Sequence, residues 1–405
     1  MKKFSGALHR KRKRDSESVW DGNGERGSKM KILIAMDSFK GCMTSLEAGY
    51  AAEEGARRVF PDAGILVRPL ADGGEGTVEA LTPGLGGVIR TARVCGPLGR
   101  SVDCRYGVVE REKLGIIEMS GAAGITLIKP EERNPMSTST WGVGQVILEA
   151  VKEGCRRFLI GIGGSATNDG GLGMLRAFGY EFVREDGSQV REAADLGRIA
   201  GIRGDKVAPE LAECVFRVAC DVTNPLCGPE GASVVFGPQK GAAPEMVRQL
   251  DLGLGHFAEV TRGRYPEADP AAPGAGAAGG LGFAFQAYTN AVLEPGIRIV
   301  LEEMRLEEKI ARADLVITGE GRLDGQSMMG KAPVGVAGLA KKYGKRVLAF
   351  SGSAAEDARA CNEAGIDAYF PILREAVTLE EAMEKERARK NLRDTVEQAL
   401  RLLRI

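Results

Sequence analysis

Histidine is almost absent from this chain. Only two occur in 405 residues: His9 in a basic polar stretch and His256 inside an amphipathic, helix-like pattern. A serine hydrolase triad or a histidine-ligated metal centre is hard to build from these two, so any proton transfer falls to carboxylates. The eight cysteines show no CxxC pair and no metal-finger spacing, which reads as free thiols in a reducing compartment and not as a disulfide framework. No apolar run reaches the roughly 18 residues of a membrane span, and no signal-peptide core follows the first residues. Charge of one sign is lacking too. Basic and acidic residues balance at 55 each, so no global field draws the chain to nucleic acid or to an anionic membrane. A cytoplasmic protein with small-molecule partners is the expectation.

Glycine is abundant. The 56 glycines are about twice the usual share, and they cluster at the ends of apolar runs without forming a repeat. That placement suggests ligand contacts built from loops. A chain of this length divides most naturally into two domains.

Residues 1–29 are polar, carry a basic run at 10–14, and read as a disordered leader. Order begins with the continuous apolar run 31–35, suited to a parallel strand buried on both faces, and DSFKG follows at 37–41. Thr44 and Glu47 have the spacing of a capping box, opening a helix to about Val59. The next strand, 65–70, delivers ADGGEGT at 71–77. Strand, polar glycine loop and helix in succession are α/β grammar, with ligands expected at the carboxyl ends of strands. From 88 to 119 short strands and turns replace this pattern and mark a second domain. A helix near 139–153 and a strand ending at Ile160 lead into GIGGSATNDGGLGM, 161–174. Glycine admits close backbone approach, and a strand-to-helix turn aims N–H groups at an anion. A tight exposed turn that binds nothing is the plain alternative. A hairpin is expected at Asp186 and Gly187, a strand at 215–219 and a helix around 244–260. The Ala/Gly/Pro-rich segment 270–282 reads as a hinge between domains. The last third returns to regular alternation and, with the first strand–helix–strand unit, forms one discontinuous Rossmann-like, doubly wound domain of 30–80 plus 290–405. An inserted α/β domain occupies 81–289.

Two motif matches mislead. GQSMMGKA at 325–332 nearly spells a phosphate-binding P-loop, but the closing Ser/Thr is Ala332 and the strand ends too early. Gly274, Gly276 and Gly279 match the dinucleotide fingerprint by letter, but they follow prolines and not a strand.

The strand-end loops together hold Asp37, Ser38 and Lys40; Asp72 and Glu75; Ser165, Thr167, Asn168 and Asp169; Asp221 and Asn224; Gln239 and Lys240; Glu320 and Asp324. Phosphoryl transfer needs such parts: backbone donors for phosphates, a lysine against their charge, carboxylates for Mg²⁺, and one carboxylate to take the hydroxyl proton. Each aspartate alone is as readily a cap or a turn former. Repetition at five or six strand ends carries the reading.

These stretches also carry a resemblance. DSFKG (37–41), PLADGGEGT (69–77), GIGGSATNDGG (161–171), DVTNPLCG (221–228), FGPQKGA (236–242), GAAGGLG (276–282) and TGEGRLD (318–324), in that order, resemble the bacterial glycerate kinase family. The resemblance implies ATP-dependent phosphorylation of D-glycerate, with 2-phosphoglycerate the expected product. It also implies two α/β domains with the active site in the cleft. Cys42 and Met329 depart from the family pattern, which usually has a hydroxyl residue at the first position and in several members a histidine at the second. On this reading Asp169 is the favoured base, Asp221 the second choice, and Lys40 binds the glycerate carboxylate. Gly163, Gly164, Ser165, Thr167, Asn168, Lys240, Gly319, Glu320 and Gly321 would hold ATP. Asp37, Ser38, Asp72, Gly73, Gly74 and Asn224 would line the substrate, with Glu75 and Asp324 on Mg²⁺. A homodimer is one option for the assembly. The rivals are a kinase of another small hydroxy acid or sugar, and a non-catalytic nucleotide sensor.

Overall fold

The structure is a computed structural model that describes Trp20 and residues 30–325 and 331–404. Most of the stretch read as a leader, and most of the near P-loop including Met329, lie outside the described residues. Trp20 departs from the leader reading. It is 3% exposed, and its indole N–H donates to the Gly64 carbonyl at 3.0 Å, giving a large apolar ring both burial and a partner for its polar end.

The chain separates into two compact units, one formed by the chain up to Asp72 with Val300–Ile405, the other by Gly73–Ile299. The first unit contributes β1 (Lys31–Met36), α1 (Ser45–Val59) and β2 (Gly64–Pro69). The second contributes α2 (Thr77–Gly84), β3 (Val88–Cys95), β4 (Ser101–Val109), β5 (Leu114–Glu118), α3 (Trp141–Lys152), β6 (Arg157–Gly161), α4 (Leu172–Phe178), β7 (Glu181–Val183), β8 (Gly201–Arg203) and β9 (Val215–Ala219). It continues with α5 (Ala232–Phe236), α6 (Pro244–Arg264), α7 (Ala277–Tyr288) and β10 (Ala291–Glu294). The first unit then resumes with α8 (Leu306–Arg312), β11 (Leu315–Leu323), α9 (Ala332–Lys342), β12 (Arg346–Ala354), β13 (Ala368–Pro371) and α10 (Lys385–Arg401). Spacing placed the division at 80/81 and 289/290, whereas it falls at 72/73 and 299/300. The shift has a physical reason: α2 packs on β3, β4 and β5, and β10 pairs with β9.

The first unit is a five-stranded sheet in the order β13-β12-β11-β1-β2, with every pairing parallel. Counted within the unit, this is the flavodoxin-like variant of the doubly wound fold, and its strand order reverses between β1 and β11. Ile32, Ile34, Met36, Ile317 and Phe350 pack with α1 and α10 in one core cluster. Both halves of the expected capping box form: the Thr44 hydroxyl accepts from Glu47 N at 3.3 Å, and the Glu47 carboxylate accepts from Thr44 N at 3.0 Å.

The second unit is a six-stranded sheet ordered β10-β9-β6-β5-β4-β3. Its β5, β6, β9 and β10 run parallel, and β3 and β4 extend it as an antiparallel meander. Burial of Phe158, Phe216 and Phe285 fills the centre of its core, where Phe158 and Phe216 stack at 5.0 Å. A turn does form at Asp186 and Gly187, with Gly187 N donating to Arg184 O. The returning chain pairs back antiparallel as a short hairpin, with Arg184 N donating to Ser188 O and Val190 N to Phe182 O at 2.8 Å around the Val183–Gln189 bridge, while β7 also pairs with β8.

The 270–282 segment is not a hinge. It lies within the second unit, and Ala275, Ala277 and Leu281 are buried at 0–3% exposure. Its glycines serve close packing: a Cβ on Gly279 would lie 2.1 Å from Thr167 O, and one on Gly280 would lie 2.8 Å from Gly170 Cα. Among the described residues no helix is long and apolar enough to cross a membrane.

Candidate active site

In the first unit, three adjacent parallel strands end together. Asp37 follows β1 directly, Asp72 lies just past β2, and Glu320 sits near the end of β11. Met36 pairs with Gly319 on one side and Pro69 on the other, so the register brings these acids to one end of the sheet, at the strand-order reversal. Asp37 N donates to Gly319 O at 2.8 Å, which ties the β1 loop to β11. The Asp37 carboxyl is 5% exposed and accepts from Ser38 N at 2.6 Å. Burial pushes its pKa up to about 7, helped by Asp72 and Glu320 and opposed by the Ser38 N–H and by Lys40. Lys40 Nζ stands 3.7 Å from Asp72 Oδ2, exposed enough for that pair to add little stability. Gly321 leaves room at the site, since a Cβ there would stand 3.5 Å from Lys40 N and Phe39 Cα. Asp324 pairs with Arg322 at 3.4 Å.

In the second unit, the 161–171 loop leaves β6 and enters α4. Only Gly163 and Gly164 of this loop are exposed. Thr167 and Asn168 are fully buried and Asp169 is 2% exposed. The Asp169 carboxylate accepts from Thr140 N and Thr140 Oγ1 at 2.9 Å, and from Gly171 N and Gly173 N at 3.1 Å. The N–H groups expected to face a bound anion at the α4 terminus therefore already have one, Asp169 itself. Burial raises the Asp169 pKa, and its four donors oppose the rise. Lys240 also points inward. It is 2% exposed, and its ammonium donates to Ser165 Oγ at 2.8 Å and Thr167 O at 2.6 Å. Burial lowers its pKa to about 7, opposed by the charge of Asp169. Asn168 donates to Ser233 Oγ at 2.8 Å. These side chains hold the loop together from within, although the Thr167 hydroxyl and the Asn168 amide oxygen are buried without a hydrogen-bond partner, unlike most buried polar groups.

The other expected positions divide between exposed and buried surroundings. Asp221 is exposed on the loop after β9 and accepts from Gly296 N at 3.0 Å. Asn224 donates to Glu230 O at 2.8 Å. Gly73 and Gly74 lie against the ends of β9 and β6: a Cβ on Gly73 would stand 2.2 Å from the Ala219 Cβ, and one on Gly161 only 1.9 Å from Gly73 O. Glu75 is exposed on this turn. Glu75 and Asp324, the pair assigned to Mg²⁺, belong to different units. Among the described residues no group of three or more His, Cys, Asp or Glu side chains is placed to hold a metal ion by itself.

Sequence reading missed Glu118, the last residue of β5. Its carboxylate accepts from Val78 N at 2.7 Å and from the Gly76 backbone, and burial lifts its pKa to about 7. The neighbouring β6 ends in a glycine motif, but LGIIE offers a single acid with nothing local to flag it.

A doubly wound unit with acidic loops at its strand ends, joined to a second α/β unit with a glycine loop, suits a phosphotransferase. The comparisons agree. Residues 32–404 match the model of the glycerate kinase family. The chain is similar to a glycerate 2-kinase of Escherichia coli K12, at 46% identity over 87% of this chain and 93% of that protein. It is similar to a glycerate kinase of Halalkalibacterium halodurans, at 45% identity over the same shares. A crystal structure provisionally assigned as glycerate kinase 2 of Salmonella typhimurium LT2 superposes with a TM-score of 0.86 at 43% identity, covering 93% of this chain and 99% of that one. The chain is a phosphotransferase, and it belongs to the glycerate kinase family.

Proposed function

We propose that the protein transfers the γ-phosphoryl group of Mg·ATP to the 2-hydroxyl of D-glycerate, giving 2-phospho-D-glycerate. The similarity to a glycerate 2-kinase supports the substrate and the product position. The observation that carries the chemistry is Asp37, a carboxyl at the strand-order reversal of the first unit whose pKa is lifted to about 7. A base works best when its pKa lies near the working pH, and sites in this fold form outside the carboxyl ends of strands at the reversal. Asp37 accepts the hydroxyl proton on this reading. Asp169 is reassigned to loop support, since all four of its hydrogen bonds go to its own loop and to Thr140. Lys40, exposed beside Asp72, offers its ammonium to the substrate carboxylate. Exposed Gly163 and Gly164 present backbone to the phosphates, and Lys240 supports them indirectly through Ser165 and Thr167.

The acids of the first unit offer only oxygen donors, which suits a hard cation, and Mg²⁺ commonly takes one or two carboxylates together with substrate phosphates. Asp324 is the residue assigned to it, and the ion would neutralise phosphate charge. Glu75 receives no role.

The test is ADP release from Mg·ATP with D-glycerate, with L-glycerate and with no acceptor, the product being passed to enolase. Release that depends on D-glycerate and feeds enolase at once is the expected result. Release without enolase consumption would place the phosphate on the 3-hydroxyl, and no acceptor-dependent release would overturn the reading.

A further inference from the structure

Helix α2 begins without a cap of its own. Its N-cap is Gly76 in a left-handed conformation, φ +92°, with no side chain to bond the first N–H groups. Such donors need partners when buried, and here the partner comes from a different element. The Glu118 carboxylate at the end of β5 accepts from Val78 N at 2.7 Å and from the Gly76 backbone. The turn it grips leads straight into the 161–164 loop: Gly73 O lies against Gly161, and Gly163 approaches Gly74 Cα. Within the turn, Thr77 Oγ1 donates to Gly74 O at 2.8 Å, which ties the start of α2 back to the glycine turn.

We propose that Glu118 is a positioning residue for phosphoryl transfer, clamping the glycine turn 73–76 in register with Gly161 and Gly163 so that two backbone segments meet the phosphates as one surface. This rests on the reading of the 161–164 loop as the phosphate contact. The cap satisfies buried donors, but a carboxylate is a costly way to do so. Glu118 is surrounded by like charge from Glu79 and Glu75, and burial disfavours its ionised form, so at neutral pH the folded state carries a penalty that an uncharged residue would not. A group kept at such a cost fits a functional demand better than a structural one.

The test uses Glu118→Gln and Glu118→Ala in the full chain. The control is Glu79→Gln, whose carboxylate pairs with Arg105 at 2.7 Å on the surface. Hydrogen exchange of peptides covering 73–85 is measured beside steady-state kinetics with Mg·ATP and D-glycerate. Both Glu118 variants should exchange at least ~10-fold faster at these amides, since a local clamp sets their opening. The variants should also lose at least ~10-fold in kcat, as misplaced phosphates do. Gln, which keeps one acceptor oxygen, should lose less than Ala. Melting temperature should hold within a few degrees and the control should match wild type. Unchanged exchange, or faster exchange with wild-type kinetics, would overturn the proposal. So would loosening across the whole unit, which would mark Glu118 as merely structural. If wild type turns over no glycerate, the functional reading fails separately, and the clamp is read from exchange alone. Mg·ATP should then protect 73–78 in wild type and not in Glu118→Ala, and any other pattern overturns it.

Discussion

Replacing Asp169 with asparagine separates a base from a brace. The carboxylate meets four donors, three on Oδ2 and one on Oδ1. An amide oxygen placed at Oδ2 can keep the first three. The NH₂ group must then face Gly171 N, and two donors oppose each other in a buried site. A hydrogen bond to a charged group contributes about 1.5–3 kcal/mol, and a stranded buried donor costs about 1–3 kcal/mol. Relief from burying a charge offsets part of this, which leaves a net loss of about 2–4 kcal/mol. At about 2–4 °C per kcal/mol for a unit of this size, melting should fall by roughly 5–15 °C. KM for ATP should rise as the loop loosens, while kcat near saturation falls less than ~100-fold. Thermal melts and steady-state kinetics on the same preparation read both. Melting within ~2 °C of wild type with kcat reduced ~100-fold or more would refute the brace and restore Asp169 as the base, given the usual size of that contribution.

Asp37→Asn should lose ~100-fold or more in kcat with little change in melting. In wild type, kcat/KM should fall about tenfold per pH unit below about 7, because the base must be ionised and its folded pKa is raised to about 7; a flat profile from pH 5 to 8 would refute the assignment. Lys240 carries the opposite sign. Its folded pKa is lowered to about 7 from 10.5, so the unfolded chain binds more protons between those values and this group's contribution to stability rises with pH across that window. Lys240→Met should flatten that rise in chemical denaturation, and an unchanged slope would count against a buried ammonium. Gly279→Ala should destabilise the second unit by about 3 kcal/mol, from a left-handed backbone and a Cβ 2.1 Å from Thr167 O; near-normal melting would mean the two glycine segments do not pack as described.

The strands were legible where apolar runs end in polar glycine loops, as at 31–41 and 64–77, because burial on both faces leaves a continuous hydrophobic signature. The roles inside the loops were not. Asp169 and Asp37 look alike in sequence, yet one spends its lone pairs on Thr140 and on the backbone just after it and the other sits among acids from neighbouring strands. That difference depends on pairing across hundreds of residues. The 270–282 segment misled because small residues permit both motion and close backbone contact, and only the partner surface decides which. Glu118 was silent for a related reason, since a cap delivered from another strand leaves no spacing pattern around the helix it serves.

The division between the two units falls inside a motif. PLADGGEGT gives Asp72 to the first unit and Gly73 to the second, with no spacer between them. A linker in most two-domain proteins can be lengthened, cut or exchanged without touching the chemistry. Here the crossing point lies inside the motif, so neither unit expressed alone carries the whole of it, and insertions at 72/73 should be tolerated far less well than insertions in the exposed turn at Asp186 and Gly187. Swapping either unit for that of a relative would have to carry this nine-residue stretch across the joint intact.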